Sequence, residues 1–323
     1  MGPTSRSSEG ASTTDVAFRR GTTDDNKNCC SVMLESFVDL AKRIGAQGNA
    51  DPDPEQVWTR NEPLYRLLGD HAAEWWVAED AGGELVGYAR SVARDGLFEL
   101  TELFVRPGRQ SAGVGRRLLE LAFPLDRGEV RAIIATPDLR ALSRYYRAGT
   151  VARFPIAELA GPPVAEDDAS GLEIIRASTD DIPALAALER AVLEFDRGPD
   201  ELAWLLEQRE GYLYRRDGKA IGLGFIGQSR TTPSVGTGPI VRTGPIAALD
   251  PADQVPILLH IEARAKALGS SEVIFVVPMI NEVAMRHLLG RRFQMDPFLM
   301  LLLSSRPFGQ FDRFIGFSPP FML

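Results

Sequence analysis

The residues with the clearest chemical potential lie in the stretch Glu99-Leu-Thr-Glu-Leu-Phe-Val-Arg-Pro-Gly-Arg-Gln-Ser-Ala-Gly-Val-Gly-Arg-Arg-Leu-Leu-Glu120. A strand ends at Val105 and Pro107 stops it. Gln110, Ser111, Ala112, Gly113, Val114, Gly115 and Arg116 then open an apolar-periodic helix. That arrangement suits a phosphate group. Glycines let backbone approach closely, the first N–H groups of the helix lack partners, and the helix dipole adds partial positive charge. Glycine is also common at helix starts for steric reasons alone, so the pair by itself is weak. The spacing does not fit a P-loop, which needs Gly-Lys-Ser/Thr, or a dinucleotide-binding G-x-G-x-x-G.

The pattern Val105-x-Pro107 followed by Gln110-x-x-Gly113-x-Gly115 resembles the acetyl-CoA pyrophosphate motif of the GNAT N-acetyltransferase superfamily. Downstream, Asp138-Leu-Arg-Ala141-Leu-Ser-Arg-Tyr145-Tyr-Arg-Ala-Gly149 is similar to that family's Asn-x-x-Ala-x-x-x-Tyr-x-x-x-Gly segment. It departs at Asp138, where Asn is usual, and at Thr150, where Phe is usual. The resemblance implies an acetyl-CoA cosubstrate, with Phe104 and Val105 making main-chain contacts to pantetheine. The residues from Gln110 to Arg116 would surround the pyrophosphate, and Asp138 would join the cofactor site. It also implies direct attack of an amine on the thioester, so no side-chain nucleophile is needed.

Such attack requires a base for the amine and a proton donor for the departing thiolate. Tyr145 falls on the family's Tyr and is the expected donor, with an ordinary buried core Tyr as the plainer reading. Two carboxylates compete for the base. Glu99 lies eleven residues before Gln110, where some members of the family carry a catalytic Glu, and Glu102 follows three residues later. Strict strand alternation would put the two on opposite faces, and Glu99 is favoured.

The elements that must hold these residues come from a duplication. Val16-Ala-Phe-Arg-Arg-Gly-Thr-Thr-Asp-Asp25 matches Leu172-Glu-Ile-Ile-Arg-Ala-Ser-Thr-Asp-Asp181, each a short strand followed by a helix cap. The reading is α/β (α+β), with two tandem GNAT-like domains, each a mixed, mostly antiparallel sheet covered by helices. The boundaries are a tail at 1–14, a first copy at 15–156 and a Gly/Pro/acidic linker at 157–171. A second copy at 172–304 and an aromatic tail at 305–323 complete the chain. The second copy lacks glycines beside Asp250-Pro-Ala-Asp-Gln-Val-Pro-Ile, and Leu288 replaces the Tyr. Val255, Pro256 and Ile257 are expected to fill its cofactor space, while Thr243-Gly-Pro-Ile reads as a rigid connection. The five phenylalanines after Pro307 must pack somewhere, against the domain interface or a second subunit, which leaves a homodimer open.

Composition narrows the classes. The 323 residues carry a net charge of −8, which offers no basic field to nucleic acid. The only cysteines are the adjacent Cys29 and Cys30, and the three histidines show no ligand spacing, so neither a disulfide framework nor a metal is expected. Without a membrane-spanning run or a signal sequence, a cytoplasmic location is expected, and the Arg-rich, Lys-poor usage fits a GC-rich bacterial genome. The sequence therefore reads as an acetyl-CoA-dependent N-acetyltransferase acting on a small-molecule amine or on a protein lysine or N-terminus. Its rivals are an inactive acyl-CoA-binding sensor or scaffold and an enzyme with a longer acyl donor.

Overall fold

The computed structural model describes residues 16–44, 52–110, 113–164, 171–229 and 239–317. The tail expected at 1–14 falls outside them.

The first half runs β1 (Ala17–Arg20), α1 (Asn26–Ile44), α2 (Pro54–Asp70), β2 (Ala72–Glu79), β3 (Leu85–Arg94) and β4 (Leu97–Val105). It continues with α3 (Val114–Ala122), β5 (Val130–Ala135), α4 (Leu139–Arg147) and β6 (Val151–Gly161). The second half repeats the order with β7 (Glu173–Arg176), α5 (Ile182–Leu193), α6 (Pro199–Gln208), β8 (Glu210–Arg216), β9 (Lys219–Ser229) and β10 (Ile240–Ala248). It ends with α7 (Gln254–Ala267), β11 (Glu272–Pro278), α8 (Glu282–Gly290), β12 (Gln294–Met295), β13 (Met300–Ser304) and β14 (Phe314–Ile315). The duplicated sequence folds identically at its start. Thr22 and Ser178 each cap a 3₁₀ turn, and the backbone N–H of each donates to Asp25 and Asp181 at 2.8 and 2.9 Å. The halves differ most in their helical pairs. Helices α1 and α2 have 19 and 17 residues, but α5 and α6 only 12 and 10.

All strands join one 14-stranded sheet, in the order β1-β2-β3-β4-β5-β13-β6-β11-β10-β9-β8-β7, with β12 on β6 and β14 on β10. The junction is an exchange. Strand β13 comes from the second half yet lies between β5 and β6, pairing with both. Strand β6 in turn runs past Ile156, and its Ala157–Gly161 portion pairs with β11 and β12. This corrects the expected linker at 157–171, because Ala157–Gly161 is a central strand segment with buried Ala157, Leu159 and Gly161. The Thr243-Gly-Pro-Ile stretch is likewise strand, not connection. Pro245 falls at the irregularity between Thr243 and Ile246 where pairing with β9 lapses, so its missing N–H costs no ladder bond.

A single core crosses the junction. It combines Val92, Leu97 and Phe154 of the first half with Leu188, Leu202 and Leu223 of the second, together with Phe308, Phe311 and Phe314. Beside it lies a buried charge cluster. Arg94 bonds Glu99 at 2.5 Å and Glu201 at 2.9 Å, while Arg197 bonds Glu189 at 2.7 Å. Burial pushes the Glu99 carboxyl up to about 7, although Arg94 and Arg197 oppose this. Burial pulls the Arg94 guanidinium down, but the Glu201 and Glu99 carboxylates outweigh it and raise its pKa.

Two outcomes are expected. Arg94→Leu strands two buried carboxylates and should cost about 3–5 kcal/mol in urea unfolding. The contribution of Glu99 to stability is full below the ordinary carboxyl value of 4.5 and is lost as pH rises through about 7. Glu99→Gln should therefore flatten the stability–pH curve across that window, and an unchanged slope would assign the dependence elsewhere.

Candidate active site

The chemistry suggested by the sequence converges where β4 and β5 part. These parallel strands pair only from Leu97 with Val130 to Leu100 with Ile133. Beyond that, β4 continues to Val105 while β5 turns to β13. The gap is a cleft lined by Ser36, Phe37, Leu40 and Arg43 of α1, by Leu103, Phe104 and Val105 of β4, and by Gln110 and Gly115. Its far wall is Thr136, Asp138, Arg140, Ala141, Arg144 and Tyr145.

The residues expected to cradle a phosphate open α3. Gly113 sits at the helix cap with φ of 80°, a left-handed conformation, and a Cβ there would meet nothing within 4 Å. The first helical bond runs from Arg117 N–H to the Gly113 carbonyl, which leaves the N–H groups of Val114, Gly115 and Arg116 ahead of it. A Cβ on Gly115 would come 3.2 Å from Arg144 Nη1 and 3.4 Å from Val105. Arg116 itself is exposed and pairs with Glu120 at 3.7 Å. Ser111 and Ala112 lie outside the described residues.

Polar groups bridge the walls of the cleft. The Val105 carbonyl accepts from Ser36 Oγ and Gln110 Nε2, both at 3.2 Å. Asp138 caps α4 by accepting from the Arg140 N–H at 2.9 Å and pairs with Arg43 at 3.1 Å. Burial pushes the Asp138 carboxyl up, but bonds from Arg140 and Arg43 prevail and hold it below its ordinary value. The departure from Asn thus keeps the cap and adds a charge that draws two arginines together. A cleft edged by Arg43, Arg140 and Arg144 beside a helix N-terminus suits a polyanion. Among these, Arg140 and Arg144 follow an i,i+4 spacing that the sequence displays, whereas Arg43 comes from a distant helix with no local signal.

Tyr145 is buried to 7 % exposure and lines the cleft, and burial raises its pKa so that it keeps its proton. Neither Glu99 nor Glu102 is among the lining residues. Their expected opposition across the strand is incorrect. An irregularity opposite Arg90 and Ser91 adds Thr101 to β4, so Glu99 and Glu102 face the same side. Glu99 lies in the paired part of β4, opposite Ala132, and belongs to the charge cluster. Glu102 lies beyond the last pair with β5. It accepts from Tyr88 Oη at 2.8 Å, Tyr88 meets Tyr65 at 3.1 Å, and Arg90 Nε stands 3.4 Å from the second Glu102 oxygen.

Residues 71–149 match the family model described as an acetyltransferase (GNAT) domain. No curated protein matches the sequence. Among solved structures, a candidate acetyltransferase from Pyrococcus horikoshii is 15 % identical with a TM-score of 0.68, covering 98 % of this chain and 99 % of that one. A GCN5-related N-acetyltransferase from Sphaerobacter thermophilus is 15 % identical at 0.59, over 90 % and 96 % of the two chains. A tandem GNAT protein from the clavulanic acid biosynthesis pathway is 17 % identical at 0.55, over 91 % and 99 %. At such identities the structural likeness speaks for the fold. Residues 71–149 thus match a GNAT acetyltransferase domain, and the chain as a whole has the fold of the tandem GNAT protein. Among the described residues no helix is long and apolar enough to cross a membrane, and no cluster of three potential metal ligands occurs.

Gly115→Glu would place a carboxylate where the cleft narrows between Val105 and Arg144. Calorimetric titration with acetyl-CoA should then register no binding, with circular dichroism close to wild type. Undiminished affinity would remove the pyrophosphate from this helix terminus.

Proposed function

We propose that the protein transfers an acetyl group from acetyl-CoA to a primary amine, using the cleft between β4 and β5. The observation that carries this reading is the parting of those strands beside the open N-terminus of α3, with Tyr145 on the facing wall. Acetyl-CoA would supply the thioester. Val114, Gly115 and Arg116 would hold its pyrophosphate by their N–H groups, and Phe104 and Val105 would present main-chain groups to pantetheine. The amine nitrogen forms the new bond to the acetyl carbon, the carbon–sulfur bond breaks, and Tyr145 gives its proton to the sulfur.

For the amine proton, Glu102 is better situated than Glu99. It stands in the parted segment of β4 and one of its oxygens makes no hydrogen bond, whereas Glu99 is engaged with Arg94. Because both carboxylates are buried beside arginines, an acyl-CoA-binding protein without turnover is the competing reading. The test is an amine panel with acetyl-CoA, following release of the CoA thiol. Release with at least one amine supports transfer, and binding without release supports the competitor.

Tyr145→Phe should lower turnover roughly 10²-fold while acetyl-CoA affinity holds, as for a lost proton donor. Wild-type turnover would return Tyr145 to a packing role. Glu102→Gln should lower turnover while acetyl-CoA affinity holds; if only Glu99→Gln does so, the base is Glu99.

A further inference from the structure

The second half has its own parted strands. Parallel strands β10 and β11 pair only from Ile240 with Glu272 to Arg242 with Ile274, then separate as β4 and β5 do. The helix caps bordering the two gaps correspond as well, since Asn281 caps α8 as Asp138 caps α4. In the first half the gap is a cleft. In the second it contains β14, which pairs antiparallel with β10 through Ile246 with Ile315 and Ala247 with Phe314. On the other side the Gly316 N–H donates to the Val276 carbonyl of β11 at 2.9 Å.

We propose that Phe311–Gly316 is a tethered ligand of the second half, an extended peptide seated in the slot that corresponds to the acyl-donor cleft of the first. The slot has side chains aimed at peptide carbonyls. Gln254, at the start of α7, donates from Nε2 to the Asp312 carbonyl at 3.0 Å. Asn281 donates from Nδ2 to the Phe314 carbonyl at 3.2 Å and to Gln254 Oε1 at 2.7 Å. Both amides are buried, at 3 % and 0 % exposure, so without the segment they would lose partners they cannot replace in the core. Gly244 of β10 admits the strand, because a Cβ there would lie 2.1 Å from the Gly316 carbonyl oxygen. Side chains alternate as in any added strand: Phe314 enters the shared core and Ile315 the second-half core.

This occupant differs from the one expected from sequence. Ile257 packs toward the sheet near Gly222, while Val255 and Pro256 are only partly buried, so the slot is closed by the segment after β13. The ligand class is an extended chain of amides, the feature a peptide and a pantetheine arm have in common. Occupation by the peptide leaves the second half closed to acyl-CoA.

The test keeps the whole chain. A protease site placed at the exposed Arg306-Pro307 turn would allow cutting after folding. The fragment from the cut to residue 323 should co-elute with the body in native chromatography and exchange with a labelled synthetic peptide of residues 310–323. Gln254→Leu with Asn281→Leu should speed that exchange at least tenfold while acetyl-CoA still binds with wild-type affinity. Native mass spectrometry of the uncut chain should count at most one acetyl-CoA. Prompt loss of the fragment from a folded body, exchange indifferent to both substitutions, or two acetyl-CoA on the uncut chain would each overturn the proposal.

Discussion

A strand inside a sheet has N–H and C=O groups on both edges, and each must be matched by a neighbour. In this protein neither half can satisfy that requirement alone. Strand β5 finds its second partner in β13, and β11 finds its own in the far end of β6. Much else depends on that exchange. Where β5 leaves β4, at the cleft, it goes on pairing with β13, and one apolar cluster spans both halves. The charge cluster around Arg94 is then a result of closure: carboxylates from β4 and α6 are brought to one guanidinium and sealed from water.

The site has a division of labour that follows from burial. In the proposed reaction the pyrophosphate would meet backbone N–H groups and arginines, which stay charged and need little from their surroundings. Proton transfer would fall instead to groups that the interior controls. Burial holds the proton on Tyr145, and the tyrosine pair Tyr65 and Tyr88 reaches Glu102 from the opposite side. On β4 the added residue at Thr101 turns Glu99 and Glu102 to one side, and the end of the β5 pairing at Leu100 leaves only Glu102 in the parted segment.

The duplication, the strand and helix order, and the glycine-led start of α3 were legible because local patterns write them: glycine spacing, helix caps, and alternation. Asp138 and Gly113 stand at helix caps, and the apolar-periodic helix expected after the glycines appears as Val114–Ala122. What escaped detection is non-local. Ala157–Gly161 reads as linker because Gly161 precedes two prolines, and only pairing with a distant β11 makes it a strand. No residue type announces the Thr101 irregularity, so alternation misplaced Glu102. The aromatic segment signalled burial through its phenylalanines, but its seat between β10 and β11 depends on Gly244, Gln254 and Asn281, scattered over the second half.

The exchanged strand also has a consequence for synthesis. Strand β6 ends at Gly161, and its partner β13 is complete only at Ser304. Translation at roughly 5–20 residues per second therefore leaves β5 and β6 waiting on the order of ten seconds or more for the strand that belongs between them. Until then the edges of β5 and β6 that β13 fills lack their native partner for their N–H and C=O groups.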